Sequence, residues 1–171
     1  SQEFETIIQK AKEKNVTITM VKAGDVINID KYTKIRILWP EKSLIEENPL
    51  NNNSIVAKFE YRNFSILFTG DIEKVAENQI VSRYNYKILE STILKVAHHG
   101  SKTSSTEEFI KAVKPKISVI GVGENNKFGH PNNSVIETLK DYGSAIYRTD
   151  LQGEITLTIK KNGKIKIDTQ I

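Results

Sequence analysis

The sequence predicts an α/β layered domain, with helices covering the outer faces of β-sheets. Two observations carry that expectation. Apolar periodicity is strand-like at first, then alternates between helix and strand, then is strand-like again towards the C-terminus. Within the alternating part, Ile93–Ala97 and Ile117–Ile120 are short and almost wholly apolar, which suits strands buried on both faces. With 171 residues the chain has the size of a single domain, 1–171, long enough to bury a core.

Taken in order, Phe4, Ile7, Ile8 and Ala11 follow helical spacing and predict an amphipathic helix over 3–14. Val16–Met20 reads as a strand, Gly24-Asp25 as a turn, and Ile35–Trp39 as a strand stopped by Pro40. Residues 41–53 are polar, with a proline and three asparagines, and read as a loop. Ile55–Tyr61 and Phe64–Thr69 form a hairpin joined at Arg62-Asn63. After Asp71, residues Ile72, Val75, Ala76 and Ile80 restore helical period. Glu107 and Glu108 stand at capping-box spacing from Ser104 or Ser105, opening a helix that ends before Pro115. Val135, Ile136 and Leu139 mark another helix, closed by Gly143. Strands follow at Ala145–Arg148, Glu154–Ile159 and Lys164–Asp168, the last two joined by the hairpin signal Asn162-Gly163.

Composition narrows the function classes. Hydrophobic content of 38% with 27% charged residues fits a soluble globular chain. No apolar run reaches the roughly 18 residues that a spanning helix needs. The absence of cysteine excludes a disulfide framework, thiolate catalysis and cysteine-ligated zinc. The opening SQEFETIIQKAKEKN is too charged to read as a signal peptide. A formal charge of +4 is mild, and the scattered lysines read as solvated faces before they read as a polyanion site.

Three polar clusters each follow an apolar strand: Thr69-Gly70-Asp71, His98-His99-Gly100-Ser101, and Phe128-Gly129-His130-Pro131. Loops at the carboxyl ends of strands in layered α/β folds gather at one crevice. Carboxylate and imidazole without sulfur suit zinc, manganese or iron in a hydrolytic role, and a carboxylate can bridge two ions. Each cluster also has an ordinary reading. Asp71 can cap a helix, the paired histidines can be structural or exposed, and His130 can be a turn residue.

The stretches FSILFTGDIE, ILKVAHHGSKTSS, SVIGVGENNKFGHPNNSVIETL and AIYRTDLQGEITLTI resemble the metallo-β-lactamase-like domain of ComEC-type DNA-internalization competence proteins. The resemblance runs from about Val21 to Ile159, and TGD, HHGS and GHP in this order are specific as a set. It implies an αββα sandwich of which this chain is the C-terminal portion, the N-terminal half with the H-x-H-x-D-H metal motif being absent. It also implies metal ligation by Asp71 and His98, with His99 and His130 facing substrate or moving a proton. Ser101 and Lys102 would contact phosphate, with Asn52 and Asn53 near substrate. Asn51–Ser54 stands where many relatives have a further histidine ligand.

The expected function is therefore part of a phosphodiesterase or nuclease with two divalent ions, zinc or manganese, acting on DNA in competence. With only Asp71 and one or two histidines, the chain alone is expected to hold metal poorly and to be inactive. Expected partners are DNA, the absent half-domain, or a second copy covering an exposed sheet face. The expected location is a soluble domain of a bacterial membrane-anchored protein, outside the cytoplasmic membrane and without direct membrane contact. A free-standing hydrolase of a phosphoester or lactone, cytoplasmic or secreted, is one alternative. A non-catalytic nucleic-acid-binding or assembly module is another.

Overall fold

The computed structural model describes residues 2–160 and 163–171. The elements in chain order are α1 (Gln2–Glu13), β1 (Val26–Asn28), β2 (Thr33–Trp39), α2 (Pro49–Asn52), β3 (Val56–Tyr61), β4 (Phe64–Phe68), α3 (Lys74–Arg83), α4 (Tyr86–Leu89) and β5 (Ile93–Lys95). A 3₁₀ turn at Ala97–Gly100 follows, then α5 (Glu107–Val113), β6 (Ile117–Ile120), α6 (Asn133–Asp141), β7 (Ala145–Arg148), α7 (Thr149–Gln152), β8 (Ile155–Ile159) and β9 (Ile165–Thr169).

Strands β1 to β7 form one seven-stranded sheet in sequence order, and β8–β9 form a separate antiparallel pair. The first three pairings are antiparallel and the next three parallel. The switch has a simple cause: β3 and β4 are joined by a two-residue turn, whereas β4, β5 and β6 are joined through helices, as parallel strands require. Registers align Lys58, Leu67, Leu94, Ser118 and Ile146 along one face. On that side Leu67 and Leu94 pack with Ile72, Ile80, Phe109, Ile110 and Leu139 from the covering helices, forming the main core. A register shift between Ile37 and Trp39 lets consecutive residues Leu38 and Trp39 both enter this core. The other face carries Ile35, Phe59, Ile66, Ile93 and Ile117 in one row. Phe68, on the same side, is 45% exposed.

The expected hairpin at Arg62-Asn63 is present, with Tyr61 opposite Phe64. Val16–Met20 is not a strand; it makes no ladder and its apolar side chains Val16, Ile18 and Met20 are exposed. The expected loop over 41–53 contains the short helix α2, opened by Pro49. The strand expected to run to Ala97 stops at Lys95, because His98 and His99 take left-handed backbone. Thr106, rather than Ser104 or Ser105, caps α5. Asn162 lies outside the described residues; beside it Lys160 N–H donates to Lys164 O at 2.9 Å, and β8 and β9 pair as expected. Among the described residues no helix is long and apolar enough to cross a membrane.

Candidate metal and phosphate site

The parallel order of β4, β5 and β6 brings their carboxyl ends together, and the three polar clusters leave the sheet there. Each loop is fastened to the next. Thr69 Oγ1 donates to Lys95 O at 2.7 Å, and His98 N–H donates to Gly70 O at 3.1 Å. Asn132 N–H, after the GHP loop, donates to Gly100 O at 2.8 Å. Two glycines permit close approaches here, Gly70 to the segment before β3 and Gly100 to the GHP loop. A Cβ on Gly70 would stand 2.6 Å from the Ser54 Cβ, and one on Gly100 would stand 2.6 Å from the Pro131 Cβ. Both have positive φ, so any side chain there meets backbone strain and collision together.

His98 and His99 themselves have φ of 47° and 55°, uncommon for residues other than glycine. Two successive left-handed residues splay the imidazoles apart. His99 turns toward Asp71, its Nε2 lying 3.9 Å from Oδ1, while its Nδ1 hydrogen-bonds with Gly121 O at 2.5 Å. His98 turns toward Glu73, with Nδ1 3.3 Å from Oε1. That separation is within ion-pair reach, yet the buried nitrogen makes no aligned hydrogen bond. His130 completes the group, its ring centroid 5.7 Å from that of His98.

Glu73 was not among the residues expected at the site, although it stands two positions after Asp71 in TGDIE. It accepts from Asn48 Nδ2 and Thr103 Oγ1, both at 3.0 Å, and from Asn51 Nδ2 at 3.4 Å. Burial pushes its carboxyl up, but these donors and the neighbouring His98 outweigh burial and hold it below the usual range. Lys95 was also missed. Its Nζ reaches Gly70 O at 3.5 Å; burial lowers its pKa against the pull of the Asp71 charge. Burial, then the nearby His98 and His99, lower the His130 pKa, so this imidazole is neutral at pH 7.

The remaining expected residues divide. Asn52, fully buried, gives its amide to Glu47 O at 2.9 Å and accepts from Glu73 N–H at 3.0 Å. Asn53 holds Ile45 through both its amide atoms at 2.9 Å. In this structure both asparagines brace the loop that supports Glu73, and a fully buried Asn52 offers substrate no surface. Ser101 is buried, its Oγ 3.0 Å from Thr103 Oγ1, whereas Lys102 is exposed.

Carboxylate oxygen and imidazole nitrogen are the donors that hard and borderline divalent cations take. Asp71 and His99 present one such pair, and the orphaned His98 Nδ1 is a further potential ligand. Among the described residues, however, no group of three or more His, Cys, Asp or Glu is placed to hold a metal. The donors of this chain do not complete a four-ligand shell.

Comparison with known proteins decides the family. The profile described as the metallo-beta-lactamase superfamily matches residues 26–124, more than half of the chain. This chain belongs to the metallo-beta-lactamase superfamily. That membership implies divalent-metal use in general. Within the superfamily the chain is similar to ComE operon protein 3 of Bacillus subtilis, 36% identical over 156 residues, covering 91% of this chain and 20% of that protein. It is also similar to competence protein ComA of Neisseria gonorrhoeae, 33% identical over 113 residues, covering 66% of this chain and 16% of that one. The ComEC-type resemblance read from TGD, HHGS and GHP is thus confirmed, and these relatives are bacterial. The chain spans a fifth or less of the length of these curated relatives. A crystal structure of a putative metal-dependent hydrolase from Parabacteroides distasonis shares the fold, with TM-score 0.52 at 18% identity, over 84% of this chain and 63% of that one.

Proposed function

We propose that this chain carries part of the active site of a metal-dependent phosphodiesterase, a nuclease acting on DNA during uptake by bacteria. The supporting observation is the convergence of Asp71, His98, His99 and His130 at one end of β4, β5 and β6, in a chain similar to competence proteins. In this reading Asp71 and His99 are two donors of a shell completed by residues outside this sequence. Glu73 holds His98 in place, and neutral His130 positions substrate or accepts a proton. Lys102 meets phosphate charge. The domain works outside the cytoplasmic membrane as a soluble part of an anchored protein. The sheet face carrying Phe59, Ile66 and Phe68 is covered by a further sheet, from the rest of that protein or from a second copy.

The incomplete donor set favours a second reading, a non-catalytic nucleic-acid-binding or assembly module. One experiment separates them: metal content and phosphodiesterase turnover of this chain and of a version extended upstream, each with Asp71→Asn and His99→Asn. The first reading expects metal and turnover in the extended protein, both lost in the variants. Metal-free, inactive extended protein that still binds DNA would establish the second. Turnover of a phosphoester or lactone by this chain alone would identify a free-standing hydrolase.

A further inference from the structure

Beside the histidines lies a cleft of about 420 Å³, lined by His99, Val122, Asn126, Phe128, His130 and Thr149. Phe128 stands at its rim and is 81% exposed, although the loop that carries it is firmly held. Asn126 braces that loop at both ends: its Oδ1 accepts from His130 N–H at 2.9 Å and Phe128 N–H at 3.2 Å, and its Nδ2 donates to His130 O at 2.7 Å. The Phe128 ring stacks on His130, with centroids 5.8 Å apart and planes inclined by 20°. Opposite, the strip at Gly121 and Gly123 is bare backbone, where an added Cβ would meet nothing within 4 Å. His99 closes the inner wall through its bond to Gly121 O.

An exposed aromatic ring costs hydration free energy, so a loop braced to display one implies a ligand with an apolar face. The cleft offers a ring to stack against and an imidazole behind it, while the side chains of Asn126, Thr149 and His99 are already bonded to backbone carbonyls and read no base edge. Exposed Lys127 is the residue before Phe128 in this loop, which favours a ligand that is anionic as well as flat. We propose that this cleft takes a nucleobase of single-stranded nucleic acid, stacked on Phe128, which leaves the adjoining phosphate on the side of His99. The inference rests on the phosphodiester reading above and deepens it by naming a base-binding residue. Because every base has a π-face, such a site tolerates sequence.

The test is binding of a labelled short oligothymidylate, and of an abasic strand with the same number of phosphates, to the upstream-extended protein, measured by fluorescence anisotropy at low salt. Phe128→Ala is expected to weaken oligothymidylate about 5- to 100-fold, the range of one lost base stack, and to leave abasic binding unchanged. Phe128→Trp is expected to restore binding, with its emission quenched by oligothymidylate but not by the abasic strand. Trp39, the one tryptophan of this chain, is buried and gives a constant background. Equal oligothymidylate binding by wild type and Phe128→Ala, or equal wild-type affinity for both strands, overturns the stacking site and leaves the phosphodiester reading standing. No binding of either strand by the upstream-extended protein overturns both.

Discussion

Gly100 and Pro131 meet with no room for a side chain between them: a Cβ on Gly100 would stand 2.6 Å from the Pro131 Cβ and 3.1 Å from its Cα. This contact sets the loop bearing His98 and His99 against the loop bearing His130. Gly100→Ala adds the strain of a positive φ to that collision. It is expected to cost roughly 2 kcal/mol in chemical denaturation. It should also separate the two loops, read as increased proteolysis near Phe128.

The carboxylate of Glu77, inside the core on α3, accepts from Ser105 N–H at 2.6 Å and Thr106 N–H at 2.8 Å. Glu77→Gln keeps one acceptor and turns an amide donor toward a second N–H, so it is expected to cost about 2 kcal/mol. Burial raises the Glu77 pKa, against the lowering effect of the Thr106 and Ser105 donors. The folded protein therefore binds this proton more tightly than the unfolded chain. Its contribution is fully present below the ordinary value of 4.5 and declines as pH rises through the higher folded value. Urea titrations of wild type and Glu77→Gln across that range check the sign.

Lys58 is 6% exposed and donates to Ile88 O at 2.9 Å and Glu90 O at 2.6 Å, at the C-terminal end of α4. Lys58→Met leaves both carbonyls without this donor and is expected to cost about 1–3 kcal/mol at pH 7. Desolvation lowers the Lys58 pKa, against the opposing pull of Glu60. The unfolded chain then binds this proton more tightly. Stability is expected to rise with pH between the lowered folded value and the ordinary 10.5, and Lys58→Met should abolish that rise.

Asn52 links the loop before β3 to the start of α3 through Glu47 O and Glu73 N–H. Asn52→Ala is expected to cost about 2 kcal/mol by leaving both backbone groups unpaired. Amide hydrogen exchange should quicken at Glu73 first, while the β3–β4 hairpin stays protected.

Local pattern made much of the frame legible. Alternation across Arg62-Asn63 marked the hairpin, helical spacing of Phe4, Ile7, Ile8 and Ala11 marked α1, and the apolar run Ile117–Ile120 marked β6. Val16–Met20 alternates equally well but has no neighbouring strand, and pattern does not reveal whether a ladder exists. The N-terminus of α5 misled for a different reason: Glu77, nearly thirty residues earlier, holds the Ser105 and Thr106 N–H groups, and the Thr106 hydroxyl is then the one that accepts from Phe109 N–H. At the sheet's carboxyl end, TGD, HHGS and GHP lie on three loops that the structure brings together. Which imidazole faces which acid depends on two left-handed residues in succession, a backbone choice with no local signature. Glu73 escaped notice because its role is made by Asn48, Asn51 and Thr103, all brought from other segments.

The left-handed pair at His98 and His99 has a practical consequence for anyone dissecting this corner. Alanine scanning there removes a ring and perturbs a bend at once, so lost function is uninterpretable. Asparagine tolerates such torsions better than most side chains and is the replacement that subtracts imidazole chemistry while sparing the shape.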